Sequence, residues 1–366
     1  MKIAFYAPFK PLDHPRPSGD QTTALGLCEH LRQAGHDIRV ASRLRARHLA
    51  ERPWMWPLAL WEAARCAGMT ADVWLTHHAY YKSPDVLGPW ASRRMGAPYA
   101  VFQGIYSTSR RKDWRTRLGF ELNRAGLSRA DVIFSNRLED LANLRRLLPE
   151  DRLCYVAPGI DPDAFAFDAA ARRRLRHAWN AGDRAVILCA AMLRDDVKTQ
   201  GVEYLLTRLA RLDRDFLLVL AGDGETRPRL EGLAADTLPG RVVFAGQVDR
   251  RDLGGYYSAA DLFAFPGIRE TLGMVYLEAQ AAGLPVLAFD NGGIPEVVEQ
   301  GGTGILVEPF DDAAFLRAAR TLLDDPALRR DMGARGARRV RERHDARLNF
   351  SVVEARLRHL VETRRS

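Results

Sequence analysis

Glu270 and Glu278 stand eight residues apart around a glycine, a spacing that suits a nucleoside diphosphate bound at the start of a helix. The apolar residues after Gly273 predict a helix that begins there and stops at Gly283. A helix start exposes unpaired N–H groups and the positive end of the helix dipole, which attract phosphate oxygens. The backbone at Leu272, Gly273 and Met274 can therefore hold phosphate oxygens.

The two carboxylates would contact opposite ends of such a ligand. A helix rises about 1.5 Å per residue, so Glu278 would lie about 12 Å beyond Glu270, roughly the length of a sugar–diphosphate–ribose unit. One acid can accept hydrogen bonds from sugar hydroxyls and the other from the ribose diol. Two glutamates at this spacing are by themselves typical of a solvated helix edge. The nucleotide interpretation therefore depends on its surroundings, which include Gly292 and Gly293, a second predicted loop that a ligand can approach closely.

Arg194 and Lys198 follow the first predicted strand of the second half of the chain and precede a helix predicted at 201–212. Breaking a bond to a nucleoside diphosphate develops negative charge, and fixed cations stabilise that charge. These two residues are therefore the candidates to neutralise a leaving group. The alternative is a solvated polar loop in which Asp195 and Asp196 offset both positive charges.

Polar side chains also stand at predicted strand ends in the first half of the chain. His77 and His78 follow a strand at 73–76, and Gln103 ends a strand at 99–103. Glutamine can hydrogen-bond a hydroxyl but cannot carry a proton. We predict that these residues contact the sugar or an acceptor, and the alternative for the histidines is ordinary packing or solvation.

The elements that must position these residues are short apolar strands alternating with longer helical patterns. Such alternation predicts an α/β fold with parallel sheets covered on both faces, in which ligands bind beyond the carboxyl ends of the strands. A segment at 157–165 with two prolines and a glycine reads as a linker. We predict three parts: a first domain at 1–160, a second at 161–345, and a helix at 346–366 that packs back toward the first domain.

The length of 366 residues exceeds what one hydrophobic core usually supports, which also favours two domains. The net charge is +8, with the excess in the first half of the chain. This excess favours an acidic partner such as a nucleic acid, an anionic membrane or a phosphorylated substrate, although a generally arginine-rich surface would give the same balance. No nucleic-acid recognition module is visible, so we expect no nucleic acid.

Four widely spaced cysteines without a Cys-x-x-Cys pair indicate neither a zinc site nor disulfides, and fit a reducing compartment. Asp161 and Asp163 form an Asp-x-Asp sequence, but their place in the linker argues against metal binding. No signal peptide and no apolar run long enough to span a bilayer are found. We therefore expect a cytoplasmic protein that uses no cofactor and no metal.

Aromatic and basic residues are interleaved at two places in the first half, a pattern that suits the surface of an anionic membrane. The alternative is that Trp54, Trp56 and Trp61 pack into the core of the first domain. The residues predicted to contact a membrane are Trp54, Trp56, Arg43, Arg45, Arg47, Arg110, Arg111 and Lys112.

The segment from Glu270 to Glu278 resembles the donor-site signature of retaining glycosyltransferases of the GT-B fold, family 4, also called glycosyl transferases group 1. Shorter motifs along the rest of the chain resemble other landmarks of that family, so the match covers essentially the whole sequence. They begin at Ser18-Gly19, Pro158-Gly159-Ile160-Asp161, Ala221-Gly222, Val243-Phe244 and Gly302-Thr303.

The resemblance implies two doubly wound, Rossmann-like parallel-sheet domains that face each other across a cleft. It implies that Glu270 holds the donor sugar, that Glu278 holds the ribose, and that Arg194 and Lys198 neutralise the diphosphate. The chain departs from the family pattern in the spacing of that cationic pair and in having Gln103 where a histidine is common. The implied donor-binding positions are Gly19, Thr271, Leu272, Gly273, Met274, Glu278, Gly222 and Gln247.

The expected function is that of a retaining hexosyltransferase, which moves a sugar from a nucleoside diphosphate to a glycan or lipid-linked acceptor. The expected setting is the synthesis of cell-envelope polysaccharide or lipopolysaccharide, at the inner face of the cytoplasmic membrane. No general base can be named, as expected if the leaving phosphate takes the acceptor proton. Two alternatives stay open: a sugar-nucleotide epimerase or hydrolase, and a catalytically silent nucleotide-sugar-binding partner protein at a membrane.

Overall fold

The structure is a computed structural model that describes residues 1–15, 19–47 and 49–365. It divides into two compact units. Unit 1 comprises Met1–Ala157 and Ala346–Ser366, and unit 2 comprises Pro158–Asp345. The sequence had predicted the first division after residue 160, in the same proline-containing segment.

Within its described residues, unit 1 holds a six-stranded parallel sheet with strand order β2-β1-β3-β4-β5-β6. The strands are β1 Lys2–Tyr6, β2 Asp37–Ser42, β3 Val73–Ala79, β4 Tyr99–Gly104, β5 Val132–Ser135 and β6 Leu153–Tyr155. The helices between them are α1 Gly19–Gln33, α2 Trp56–Ala67, α3 Gly88–Met95, α4 Trp114–Leu127 and α5 Leu138–Leu144. Short 3-10 turns lie at Leu49–Glu51, Pro53–Met55, Thr108–Arg111 and Glu150–Arg152.

Unit 2 repeats this plan with strand order β12-β11-β10-β7-β8-β9 in a six-stranded parallel sheet of its described residues. The strands are β7 Ala185–Ala190, β8 Phe216–Ala221, β9 Val242–Gly246, β10 Leu262–Ala264, β11 Val286–Phe289 and β12 Gly304–Val307. The helices include α6 Ala169–Ala178, α7 Val197–Leu209, α8 Arg227–Thr237, α9 Leu253–Ala259 and α10 Met274–Ala281. They continue with α11 Ile294–Val297, α12 Asp312–Asp324 and α13 Pro326–Arg343, after a 3-10 turn at Asp163–Phe165.

Helices cover both faces of the sheet in unit 1, as the continuous apolar strands predict. Alternate residues of β1 show the arrangement, because Ile3 and Phe5 join one buried cluster while Ala4 and Tyr6 join the other. The first cluster is completed by α1 and by the C-terminal helix α14 Ala346–Arg365. Glu354 of α14 also lies 3.0 Å from the Nε2 atom of His36. The last helix of the chain therefore packs within unit 1.

A buried carboxylate ties three elements of unit 1 together. Asp85 accepts hydrogen bonds from the Leu87 and Gly88 amides at 2.9 and 2.8 Å, at the start of α3. It also accepts from the Tyr99 hydroxyl of β4 at 3.0 Å and from the Thr76 hydroxyl of β3. The network fixes β3 against β4, the two strands that carry His77, His78 and Gln103 at their ends.

We expect Asp85→Ala to destabilise unit 1 by about 3–5 kcal/mol, because the substitution leaves several buried donors without an acceptor. Thermal or denaturant unfolding followed by tryptophan fluorescence measures the loss. Asp113→Ala is the matched control, since it removes the exposed cap of α4 and should cost only about 1 kcal/mol. Equal losses in the two variants would show that the buried network contributes nothing beyond capping.

Candidate functional site

The sheet of unit 2 has a topological switch point between β7 and β10. From β7 the chain proceeds outward to β8 and β9, and it then returns to the other side of β7 for β10, β11 and β12. Loops that leave two such strands diverge, which opens a crevice at their carboxyl ends. The β7 side carries Arg194 and Lys198, and the β10 side carries Glu270 and Gly273. The fold thus brings together at one edge residues that lie far apart in the sequence.

Helix α10 begins at this edge. Gly273 is its N-cap in a left-handed conformation, with φ of 68°. A Cβ atom at this position would lie 2.7 Å from the Tyr276 ring, so glycine is required for packing as well as for the backbone. The helix starts at Met274. The Tyr276 amide of its first turn donates to the Gly273 carbonyl at 3.0 Å. The Met274 and Val275 amides precede the first intrahelical bond and can face an anion.

The second glycine loop packs against the first. A Cβ atom on Gly292 would lie 2.0 Å from the Glu270 carbonyl oxygen, and one on Gly293 would lie 2.0 Å from the Thr271 carbonyl oxygen. The Gly293 amide also donates to the Glu270 carbonyl at 3.2 Å. From the sequence, Gly292 and Gly293 are predicted to let a ligand approach the loop closely. In the structure they also let this loop pack against the backbone that carries Glu270.

Lys198 lies in the first turn of α7. The sequence predicted a helix from 201, but Asp196 caps α7 by accepting from the Lys198 amide at 2.8 Å, and the helix therefore begins at Val197. Arg194 precedes the helix as an exposed side chain, with its Nη2 atom 3.0 Å from the Met192 sulfur. The cap fixes the backbone of Lys198. The Thr199 hydroxyl of α7 donates to the Arg194 carbonyl, so the backbone of Arg194 is also held by the helix while its side chain is exposed.

One buried tyrosine links the two sides of the switch point. Burial raises the pKa of Tyr276, and the charges of Glu270 and of Cys189 at the end of β7 raise it further. Burial raises the pKa of Cys189 to about 12, while the charge of Lys198 acts in the opposite direction. The charge of Lys198 therefore acts on Cys189, and the charge of Glu270 acts on Tyr276.

Glu278 is buried farther along α10, with 3% of its surface exposed. Burial raises the pKa of its carboxyl, while Arg250 and the Tyr257 hydroxyl act to lower it. Sequence reasoning missed both Arg250 and Tyr257, because nothing in their spacing to Glu278 marks them as its partners. Gly222 and Gln247, the other implied donor positions of unit 2, follow β8 and β9, where the Gly222 amide donates to the Gly246 carbonyl at 2.8 Å.

The polar residues predicted in unit 1 also gather at a switch point, since β2 and β3 lie on opposite sides of β1. His78 and Gln103 end adjacent strands with positive φ values of 61° and 60°, a strained conformation that is common at functional sites. Burial lowers the pKa of His77 to about 4, so its ring is neutral at pH 7. In the described part of the chain, the Gln103 Oε1 atom is buried without a hydrogen-bond partner.

Asp20 joins this group, although the sequence gave no sign of it beyond its position after Gly19. It lies in the first turn of α1 and pairs with the Nδ1 atom of His78. Burial would raise the pKa of Asp20, but His77, His78 and Lys10 together hold it below its usual value. Gly19 begins α1 in unit 1, with open space where a Cβ would point. Ser18 lies outside the described residues.

The tryptophans divide between the two alternatives left by the sequence. Trp56 is half-buried and packs on the core of unit 1, whereas Trp54 and Trp61 are 72% and 59% exposed. Arg43 pairs with Asp13 at 3.3 Å, and the guanidinium of Arg47 lies 5.6 Å from the centre of the Phe9 ring.

Arg45 also contacts the Phe9 segment, through a hydrogen bond from its Nε atom to the Phe9 carbonyl at 3.3 Å. Arg110 lies over the Tyr81 ring at 4.9 Å, and Arg111 is 3.9 Å from Glu121. Lys112 is exposed. The arginines at 43–47 are thus directed toward unit 1 itself, and the basic run at 110–112 remains at its surface.

The described residues contain neither a membrane-spanning helix nor a cluster of metal ligands. No helix among residues 1–15, 19–47 and 49–365 is long and apolar enough to cross a membrane. In the same residues, no three His, Cys, Asp or Glu side chains converge in a way that could hold a metal ion. The expectation that no metal or cofactor is used stays a prediction.

Proteins with similar sequences include a mannosyltransferase and a lipopolysaccharide core glycosyltransferase. The chain is 36% identical over 230 residues to a GDP-mannose-dependent alpha-(1-6)-phosphatidylinositol monomannoside mannosyltransferase of Mycolicibacterium smegmatis, which covers 59% of this chain and 58% of that protein. It is 30% identical over 261 residues to the lipopolysaccharide core biosynthesis glycosyltransferase LpsE of Rhizobium meliloti, which covers 71% of this chain and 72% of that protein. The chain thus spans little more than half the length of the first relative.

Solved structures show the same fold at low identity. The chain matches sucrose-phosphate synthase from Thermosynechococcus elongatus with a TM-score of 0.76 and 23% identity, over 99% of each chain. It matches Anabaena HepE in complex with UDP with a TM-score of 0.78 and 18% identity, over 98% of this chain and 100% of that one. A family model described as "Glycosyl transferases group 1" matches residues 172–339. The Rhizobium meliloti relative is aligned over 72% of its own length. This alignment agrees with the family match, with the two Rossmann-like sheets and with the sequence resemblance. The chain belongs to the glycosyl transferases group 1 family of GT-B fold.

Proposed function

We propose that this protein moves a hexose-type sugar from a nucleoside-diphosphate sugar to a glycan or lipid-linked acceptor. The observation that carries the proposal is the switch point of unit 2, where Lys198 follows β7 while Glu270 and the start of α10 follow the adjacent parallel strand β10. Glu278 lies farther along the same helix. A cation, open amides and two separated carboxylates complement a diphosphate that bears a sugar at one end and a ribose at the other.

Catalysis requires mainly that the two substrates are positioned and that the charge on the leaving diphosphate is stabilised. The bond from the sugar C1 atom to the diphosphate oxygen breaks, a bond from C1 to the acceptor oxygen forms, and the acceptor proton passes to the leaving phosphate. Lys198 and the amides of α10 stabilise the charge that grows on the diphosphate. Glu270 holds the sugar hydroxyls. We propose retention at C1, as is typical of this family, and NMR of the product anomeric proton would test it.

The named relatives guide the choice of substrates. One uses GDP-mannose and a phosphatidylinositol monomannoside, and another acts in lipopolysaccharide core synthesis. By analogy, the proposed acceptor is a glycan or lipid of the cell envelope, and the proposed place of action is the inner face of the cytoplasmic membrane. GDP-mannose is the first donor to test.

A thermal-shift screen with UDP-, GDP- and ADP-sugars, followed by measurement of nucleotide release, tests the function. Ligands that bind only the folded protein raise its melting temperature by mass action. We expect stabilisation by one nucleotide class and release of that nucleoside diphosphate with an acceptor present. Free sugar without an acceptor would favour a hydrolase, an altered sugar still attached to the nucleotide would favour an epimerase, and tight binding without turnover would favour a silent partner.

An unusual surface of unit 1 supports a second part of the proposal, peripheral contact with an anionic membrane. Helix α2 buries the small side chains Ala59, Ala63 and Cys66. Its larger side chains Leu60 and Trp61 are 67% and 59% exposed. An amphipathic helix normally buries its large apolar side chains, so this pattern is the reverse of the usual one. Exposed apolar groups of this size mark an interaction surface.

Helix α4 extends the same kind of surface. It packs near the 3-10 turn Leu49–Glu51, since a Cβ atom on Gly119 would lie 3.7 Å from the Cβ atom of Ala50. Its Trp114 and Leu118 side chains are 80% and 50% exposed. Basic residues surround these apolar groups, which suits an anionic bilayer rather than a neutral partner. The α2–α4 surface comprises Trp54, Leu58, Leu60, Trp61, Trp114 and Leu118 with Arg110, Arg111, Lys112, Arg115 and Arg117.

Co-sedimentation with phosphatidylcholine vesicles that do or do not contain phosphatidylglycerol measures this contact. We expect binding to the anionic vesicles, and loss of about 100-fold in partitioning when Arg110, Arg111 and Lys112 are changed together to glutamine, at about 1 kcal/mol per charge. Replacing Trp54 and Trp61 with serine should also abolish binding. Phe167→Ala, which removes an exposed apolar group of unit 2, is the control, and equal effects in all variants would reject the surface.

A further inference from the structure

Both carboxylate oxygens of Glu278 are contacted by residues from the same side of the unit 2 sheet. The Tyr257 hydroxyl of α9 donates to Oε2 at 2.9 Å, and Nη1 of Arg250 lies 3.3 Å from Oε1. Tyr257 is fully buried, whereas the Arg250 side chain is 54% exposed. Arg250 therefore reaches from the surface to a carboxylate whose side chain is only 4% exposed.

The chain holds Arg250 in this position by more than the ion pair. Its guanidinium lies 5.5 Å from the centre of the Phe165 ring, within the range of a cation–π contact. The next residue, Arg251, instead pairs with Asp249 at 3.3 Å and is 89% exposed. Of two adjacent arginines in the loop between β9 and α9, only one is thus directed toward the buried acid. The neighbouring residue provides a natural control.

The consequence concerns how Glu278 can accept a ligand. A buried carboxyl without a partner favours the neutral form, which has an O–H donor and fewer acceptor sites. Arg250 favours the ionised form, which offers about four lone-pair positions over its two oxygens. Arg250 and Tyr257 occupy two of these positions. The remainder match the two O–H donors of a vicinal diol such as that of ribose.

We propose that Arg250 and Tyr257 are positioning residues that hold Glu278 ionised and oriented to accept both hydroxyls of a ribose, so that the site selects ribonucleotides over 2′-deoxyribonucleotides. The inference rests on the proposed function, in which Glu278 contacts the nucleotide ribose. It adds the residues that make this contact possible and the ligand class that they select. Neither residue needs to contact the nucleotide for this role.

Isothermal titration calorimetry with UDP, 2′-deoxy-UDP, GDP and 2′-deoxy-GDP tests the proposal. For the wild-type protein, the 2′-deoxy form of the preferred nucleotide should bind about 10–100-fold more weakly, as expected for one hydrogen bond to a charged group. In Arg250→Ala this discrimination should fall below about threefold. Arg250→Lys should restore most of it, Tyr257→Phe should reduce it partially, and Arg251→Ala should leave it unchanged.

The pH dependence supplies a readout that a merely structural role would not change. Arg250, from the loop before α9, and Tyr257, from α9, are the charged and titratable groups that act on Glu278. Burial raises the pKa of Glu278 and Arg250 acts to lower it, so without Arg250 the pKa rises further. As the pH falls, ribonucleotide affinity should therefore be lost at a higher pH in Arg250→Ala than in the wild type. Coincident pH profiles of the two proteins would contradict the proposal.

Glu278→Gln separates failure of this inference from failure of the proposed function. If Glu278→Gln binds UDP and GDP as the wild type does, the nucleotide assignment itself is wrong. If Glu278→Gln weakens binding while Arg250→Ala keeps the wild-type discrimination, only the role of Arg250 is overturned. Thermal unfolding of each variant establishes that it is folded, and Arg250→Lys provides the same test if Arg250→Ala is not.

Discussion

Replacing Lys198 with alanine is expected to lower turnover by about 10²–10³-fold, while the affinity for the nucleoside diphosphate falls by about tenfold or less. The reason is that the charge that Lys198 answers grows as the sugar–phosphate bond breaks, so the side chain stabilises the transition state more than the bound donor. The capping bond from the Lys198 amide to Asp196 involves the backbone and survives the substitution. Steady-state kinetics and calorimetry on the same variant separate the two effects.

Matched variants make this result specific. Lys198→Arg keeps the charge and should recover part of the turnover. Lys82→Ala removes a lysine of unit 1 that lies near the Tyr81 ring, and it should have no effect. Arg194→Ala should cause a smaller loss than Lys198→Ala, because the Arg194 side chain is exposed whereas that of Lys198 is partly buried. Equal losses of affinity and turnover in Lys198→Ala would contradict the assignment.

Replacing Glu278 with alanine is expected to weaken the binding of UDP or GDP, whichever the protein prefers, by about 10²–10⁴-fold. Two hydrogen bonds from the ribose to a carboxylate are lost, and each bond to a charged group contributes about 1.5–3 kcal/mol net of its exchange with water. Calorimetric titration with the nucleoside diphosphate alone measures this loss, so no acceptor needs to be known.

A control of the same charge lies elsewhere in unit 2. Glu299 is exposed and pairs with Arg339 at 3.3 Å, so Glu299→Ala removes a carboxylate without touching the candidate site. Its nucleotide affinity should equal that of the wild type. An unchanged dissociation constant in Glu278→Ala would remove the ribose role from this residue, whatever its turnover.

The elements around the candidate site followed from local patterns. The apolar runs of β7 and β10, the glycine before α10 and the prolines after Ala157 each carry their signal within a few residues. The start of α7 was the exception, because the prediction from 201 overlooked the cap at Asp196. Capping is also local, so this error could have been avoided from the sequence.

The tryptophans at 54–61 show how little composition reveals about burial. Trp54, Trp56 and Trp61 look alike in the sequence, yet Trp56 packs on the core of unit 1 and the other two are exposed. The difference follows from which side of α2 meets the sheet. That side is chosen by small residues, Ala59, Ala63 and Cys66, whose burial gives little hydrophobic signal.

The sequence by itself determined the two α/β units, the family, and the positions of Glu270, Gly273, Glu278 and Lys198, because strand patterns, helix starts and motif spacing are properties of neighbouring residues. Only the tertiary structure decided that Arg250 and Tyr257 contact Glu278, that Asp20 pairs with His78, and that Gly292 supports the backbone of Glu270. Each of these contacts joins residues on different elements. Such contacts depend on how the strands are ordered in a sheet, and no local pattern encodes that order.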